Sequence, residues 1–193
     1  MSPAATISRE VGERAILAAA DDLFYARGIA GVGMADVRDA AGVSLRRLYA
    51  SYPSKRDLVA AWLDDRHVRW MRWFTTAVDR LSADGRDPLV ATFDAIAEWV
   101  HSPGYRGCAF LNAIAETTEI DDAHRAIVAN HKRDLVQHLV SLSAVAHPGA
   151  PEWLPSAIGV LIDGAIVQTA VFGNDSPIAP ARAAAAQLVN GRT

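Results

Sequence analysis

Between residues 34 and 51 two short helical patterns are separated by only Gly42-Val43-Ser44, and few architectures bring two helices together across so short a turn. Met34 to Ala41 reads as the first helix and Leu45 to Ser51 as the second, closed by Tyr52-Pro53. Gly42 supplies the positive φ that lets two helices meet steeply, Val43 plugs the corner, Ser44 caps the second helix, and Leu48 holds that helix to a core. The pattern predicts a helix-turn-helix.

Charge supports a polyanionic partner for this motif. The formal net charge is −3, which argues against a chain basic all over. Between Ser44 and Arg56, however, the charges are Arg46, Arg47, Lys55 and Arg56, with no Asp or Glu among them. Leu45, Arg46, Arg47 and Tyr49 lie near the exposed N-terminal side of the second helix, the part that reaches base edges in a major groove. Tyr49 and Tyr52 can donate to phosphate, and Lys55 stands in the first turn of the next helix, where free amides attract phosphate.

The rest of the chain also reads as helices. Arg9 to Arg27 carries Ile16, Ala20, Leu23 and Phe24 on one face, with Gly28 at its end. A long helix from Lys55 to about Leu81 repeats Leu63, Trp70, Phe74, Val78 and Leu81. Asp87 and Pro88 open another, and a shorter one runs from Cys108 to about Thr117. Asp122 to Ala146 places Ile127, His131, Leu135, Leu139 and Leu142 on one side. Glu152 to Phe172 is apolar on two faces, Trp153, Ala157, Val160, Gly164 and Val171 on one and Leu154, Ile158, Ile162, Ala165 and Phe172 on another, so it must be buried on more than one side. Ser176-Pro177 caps a final Ala-rich helix whose small side chains permit close approach. No strand pattern emerges, and the expected fold is all-α.

Residues Gly28 to Leu58 resemble the DNA-binding domain of the tetracycline-repressor (TetR) family, through Asp36-Val37, Ala40-Ala41-Gly42-Val43-Ser44, Leu48-Tyr49, Tyr52, Ser54-Lys55 and Leu58 in register. Three departures stand out: Gly33 replaces a capping Thr or Ser, Arg38 a common Ala, and Arg46 a common Gly. The resemblance implies a DNA-binding domain over residues 1–54, with DNA contacts from Ser44, Leu45, Arg46, Arg47, Tyr49, Tyr52 and Lys55. It also implies a ligand-binding and dimerisation domain over residues 55–193, hence a homodimeric, ligand-responsive repressor on a palindromic operator of double-stranded DNA. The last two helices form the expected dimer contact.

The expected ligand is small and largely apolar, in a cavity bordered by some of Trp70, Phe74, Trp99, Phe110, His131 and Leu135, with His131 and Asn112 as polar contacts. The long helix from Lys55 would carry a displacement at Trp70 or Phe74 to the DNA-facing residues. A helical carrier of apolar molecules would explain the aromatics and leave the basic turn unexplained. An enzyme would need Cys108 or Ser143 as nucleophile with His131 or Glu116 as base, but no nucleophile elbow or phosphate loop accompanies them. Asp121, Asp122 and His124 suit a helix start without any metal, and no cofactor is expected. The single Cys108, the absence of a signal-like start and of any run of about 18 apolar residues point to a cytoplasmic protein.

Overall fold

A computed structural model describes residues 9–116 and 121–191. Its described residues form the helices α1 (Arg9–Arg27), α2 (Met34–Ala41), α3 (Leu45–Ser51), α4 (Lys55–Ser82), α5 (Pro88–Val100), α6 (Ala109–Glu116), α7 (Asp122–Ala146), α8 (Leu154–Phe172) and α9 (Ile178–Asn190), with no strand among them. The all-α expectation holds. Thr117, the expected end of α6, lies outside the described residues.

The local signals act through identifiable caps. Gly42 sits at φ +63° and its N–H bonds the Asp39 carbonyl at 3.3 Å, ending α2. The Ser44 hydroxyl accepts from the Arg47 N–H at 3.2 Å, and the Asp87 carboxylate accepts from Leu89 and Val90 at the start of α5. Gly33 has no side chain to cap α2, but Asp36 Oδ2 accepts the Gly33 N–H at 2.7 Å and so braces the helix start from within. The last helix begins differently from its expectation: Pro177 occupies the cap position of α9 with no side-chain cap bond.

The chain divides into two compact units, residues 1–67 with 109–128, and residues 68–108 with 129–193. This division differs from a break at residue 54, because α6 and the start of α7 cluster with the helix-turn-helix rather than with the C-terminal helices. In the first unit α1, α2 and α3 pack mutually around Ile16, Ala20, Phe24, Val37, Leu48 and Leu58. Trp62 joins that core, edge-on to Phe24 at 5.3 Å between ring centroids.

In the second unit α5, α8 and α9 pack on one another. Helix α8 buries Leu154, Ile158, Ile162, Ala165 and Ile166, while the opposite side exposes Trp153 (55%), Val160 (72%) and Val171 (72%). Its 19 residues, with mean hydropathy 1.6, are long and apolar enough by length and composition to cross a membrane, which the expectation of no such stretch did not foresee. Asp163 interrupts it and pairs with Lys132 of α7 at 2.5 Å.

Candidate nucleic-acid interface

Helix α3 turns one face inward and one outward. Leu48 is fully buried and Arg47 and Ser51 are half-buried, whereas Leu45, Arg46, Tyr49 and Ala50 are exposed. This is the 3.6-residue period at work: positions 45, 46 and 49 share a side that neighbours 47 and 48 do not. Arg46 and Arg47, grouped together by the sequence reading, therefore diverge. Arg47 lies back along α1, where a Cβ built on the buried Gly12 would stand 3.1 Å from its Cδ and 3.3 Å from its Nε.

Ser44 is exposed at the cap, Tyr52 is half-buried at the end of α3, and Lys55 is half-buried at the first position of α4. Burial pushes the Tyr52 phenol above its ordinary range, with Glu13 and Asp65 adding to the effect, so the hydroxyl keeps its proton and is able to donate.

Several residues around this face carry signals that periodicity does not reveal. Asp21 Oδ1 accepts from Trp62 Nε1 at 2.7 Å and from Arg66 Nη1 at 2.6 Å, tying α1 to α4, and the Arg66 guanidinium lies 3.9 Å over the Tyr25 ring. Buried His124 places Nε2 3.0 Å from the Arg56 carbonyl and Nδ1 2.7 Å from Asp121 Oδ1, and Asp121 also pairs with the Arg56 guanidinium. The start of α7 is thereby fastened to the residue after Lys55. Of the acidic residues considered for a metal, Asp121 serves as both cap and ion-pair partner, accepting the His124 N–H at 3.1 Å and pairing with Arg56, and Asp122 stands in the first turn of α7.

A sequence profile described as "Bacterial regulatory proteins, tetR family" matches residues 16–62, the span that builds this helix-turn-helix. A TetR-family transcriptional regulator from Streptomyces coelicolor superposes with TM-score 0.78 and 26% identity, covering 94% of this chain and 96% of that one. The chain is a TetR-family regulator. An uncharacterized HTH-type transcriptional regulator of Lactococcus lactis subsp. lactis is 25% identical over 152 residues, 76% of each chain. The HTH-type transcriptional activator FasR of Mycolicibacterium smegmatis is 36% identical over 93 residues, 47% of this chain and 42% of that protein. Escherichia coli NemR in its reduced form shares the fold, with TM-score 0.80 at 18% identity. These likenesses identify a DNA-binding transcription regulator, a class without enzymatic activity.

The residues expected to hold a ligand in this TetR-family chain divide between the two units. Phe110 and Asn112 belong to the first, and Trp70, Phe74, Trp99, His131 and Leu135 to the second. Within the second, Trp70 stacks on Phe74 at 4.9 Å and meets Trp99 and His131 edge-on at 5.7 and 5.2 Å. Trp73 and Tyr105 extend this aromatic cluster through Trp99. Two buried nitrogens within it, Trp70 Nε1 and His138 Nε2, have no hydrogen-bond partner among the described residues. A half-open cavity of about 730 Å³ lies elsewhere in this unit, between the turn after α5 and the end of α8, bounded by Tyr105, Arg106, Thr169 and Asp175 and by none of the seven expected residues.

Proposed function

We propose that this TetR-family regulator is a homodimeric repressor that binds a palindromic operator in the major groove and is released by a small ligand. The observation that carries the reading is the outward face of α3, where Leu45, Arg46 and Tyr49 stand exposed beside the capping Ser44. Arg46 offers bidentate donors to a guanine edge, while Tyr52 and Lys55 hold the phosphate backbone. Such a protein works where the chromosome is, in the cytoplasm.

Dimerisation is supported by an exposed apolar stripe, Trp153 at the cap of α8 and Val160, Val167 and Val171 along it with the half-buried Gly164 between them, together with the small outward residues Ala179 and Ala183 of α9. Two copies of such a pair make a four-helix contact about a two-fold axis, and a two-fold protein reads a palindrome with half-sites about one helical turn apart.

Ligand response is supported by the aromatic cluster and its two unpartnered nitrogens. A planar, largely apolar molecule carrying a hydrogen-bond acceptor satisfies Trp70 Nε1 when it parts the rings. Trp70 and Phe74 lie on α4, the helix that also carries Lys55, so displacing them acts on an element of the DNA face. Operator affinity falls by the ligand's preference for the displaced state, and no further.

The test is selection of bound sequences from random duplex DNA, followed by a salt titration on the selected site. A palindrome and a steep salt dependence are expected; salt-insensitive or absent DNA binding would favour the helical-carrier reading. A thermal-shift screen then supplies ligands, and each true effector must lose affinity when operator is added, as operator loses affinity when the effector is added.

A further inference from the structure

Arg47 sits at the third position of the recognition helix, where a long cation invites assignment to base reading. The structure gives it a different environment. Its neighbours on the same helical side are the buried Leu48 and the half-buried Ser51, and its stem and guanidinium lie against Gly12 of α1. Gly12 is itself buried, and its lack of a side chain makes this approach possible: a Cβ there would stand 3.1 Å from Arg47 Cδ and 3.3 Å from both Nε and Nη1. Contacts that short force one partner to move. Arg46, one residue earlier and about 100° around the helix, has no such seat and is exposed.

We infer that Arg47 is a positioning residue that sets recognition helix α3 against α1 through the seat at Gly12, and that base discrimination rests on Arg46 and Tyr49. The inference rests on the DNA-binding reading of α3. A guanidinium half-covered by α1 keeps little freedom to follow a base edge, whereas it fixes the depth and tilt at which the whole outward face meets the groove. Arg47 then affects every sequence alike, and Arg46 affects some sequences more than others.

Binding preferences of the full chain are measured by selection from random duplexes, with affinities for the selected site and an unrelated duplex. Arg46→Ala is expected to relax preference at one or two positions by about tenfold or more, with melting unchanged. Arg47→Ala is expected to lower both affinities by the same factor and leave the selected sequence unchanged. Arg47→Lys, which keeps a stem and charge over Gly12, restores most of the loss, a rescue that simple destabilisation would not give when affinity is measured far below the melting temperature. Gly12→Ala reproduces Arg47→Ala, and the double variant Gly12→Ala, Arg47→Ala is no weaker than Arg47→Ala, because the added methyl has nothing left to displace. Where Arg47→Ala does not fold, Arg47→Met preserves the stem for the same measurement. A changed base preference in Arg47→Ala or Arg47→Met, or a Gly12→Ala protein indistinguishable from wild type, overturns the assignment. Failure of the wild-type protein to select any sequence overturns the DNA-binding reading along with it, and that outcome is distinct.

Discussion

Glu116, at the end of α6, accepts the backbone N–H of Ile29 through Oε2 at 2.9 Å, joining two residues 87 positions apart. Ile29 is buried in the turn after α1, where no helix supplies its amide with a partner. The carboxylate occupies the space a side chain at Gly28 would need, since a Cβ there would come within 2.7 Å of Oε2. A residue outside the helix-turn-helix in sequence thus completes the fold of the unit that contains it.

Glu116→Ala should cost about 1–2 kcal/mol, because it strands the Ile29 N–H without a charged acceptor. The melting temperature should fall by a few degrees and the Ile29 amide should exchange faster with solvent. Glu116→Gln keeps an acceptor and should lose less. Unchanged Ile29 exchange in Glu116→Ala would show that the bond contributes nothing.

The Asp121 carboxyl is held below the usual carboxylate range, first by the His124 backbone N–H and then by the His124 side chain and the Arg56 guanidinium. A carboxyl with a depressed folded value contributes stability that is complete above its unfolded value and lost as pH falls through the folded one. The wild type should therefore lose stability relative to Asp121→Asn as pH drops below the ordinary carboxylate range, and the two melting curves should run parallel above it. Parallel behaviour throughout would remove Asp121 from the acid response.

His138 behaves differently because burial, opposed only partly by Asp79, holds its imidazole below the ordinary histidine range. Its ring meets Phe74 edge-on at 6.0 Å. The unfolded chain then takes up the proton more readily than the folded one, so the stability linked to this site is full above the histidine range and declines as pH falls toward the folded value. His138→Phe should flatten that decline in a melting series across the histidine range. A bound ligand that accepts from or donates to Nε2 should change the same slope.

The outward face of α8 predicts the assembly. A Cβ built on Gly164 meets nothing within 4 Å in the single chain, so the first side-chain atom of Gly164→Trp has open space within the subunit. Across a close helix pair it does not. Gly164→Trp and Val160→Asp should each yield folded monomers by sedimentation, with operator affinity reduced to that of a half-site. A folded dimer that survives both changes, or survives truncation before Glu152, places the contact elsewhere.

Lys55→Ala should weaken binding to all sequences alike and shallow the salt dependence by about one unit of slope, the signature of one lost phosphate contact. A site-specific loss would instead place Lys55 near a base edge.

What the sequence determined by itself was local. Helix ends followed from Gly42, Ser44 and Asp87-Pro88 because caps act within one turn, and the burial of Ile16, Ala20 and Phe24 on α1 and of His131, Leu135 and Leu139 on α7 followed from a 3.6-residue period, while Leu23, Ile127 and Leu142 on the same faces are only half-buried. The family followed from turn and core residues at fixed spacing in residues 28–58, which lie inside the 16–62 that the family profile matches. Tertiary structure decided which of α8's two apolar faces the subunit covers, since periodicity shows that both are apolar and not what lies against either. It also decided that residues 109–128 cluster with the helix-turn-helix, and that Arg47 turns to Gly12 while Arg46 stays outside. Those outcomes depend on partners 35 to 87 residues distant, such as Gly12 for Arg47 and Ile29 for Glu116, and no local pattern names a partner so far along the chain.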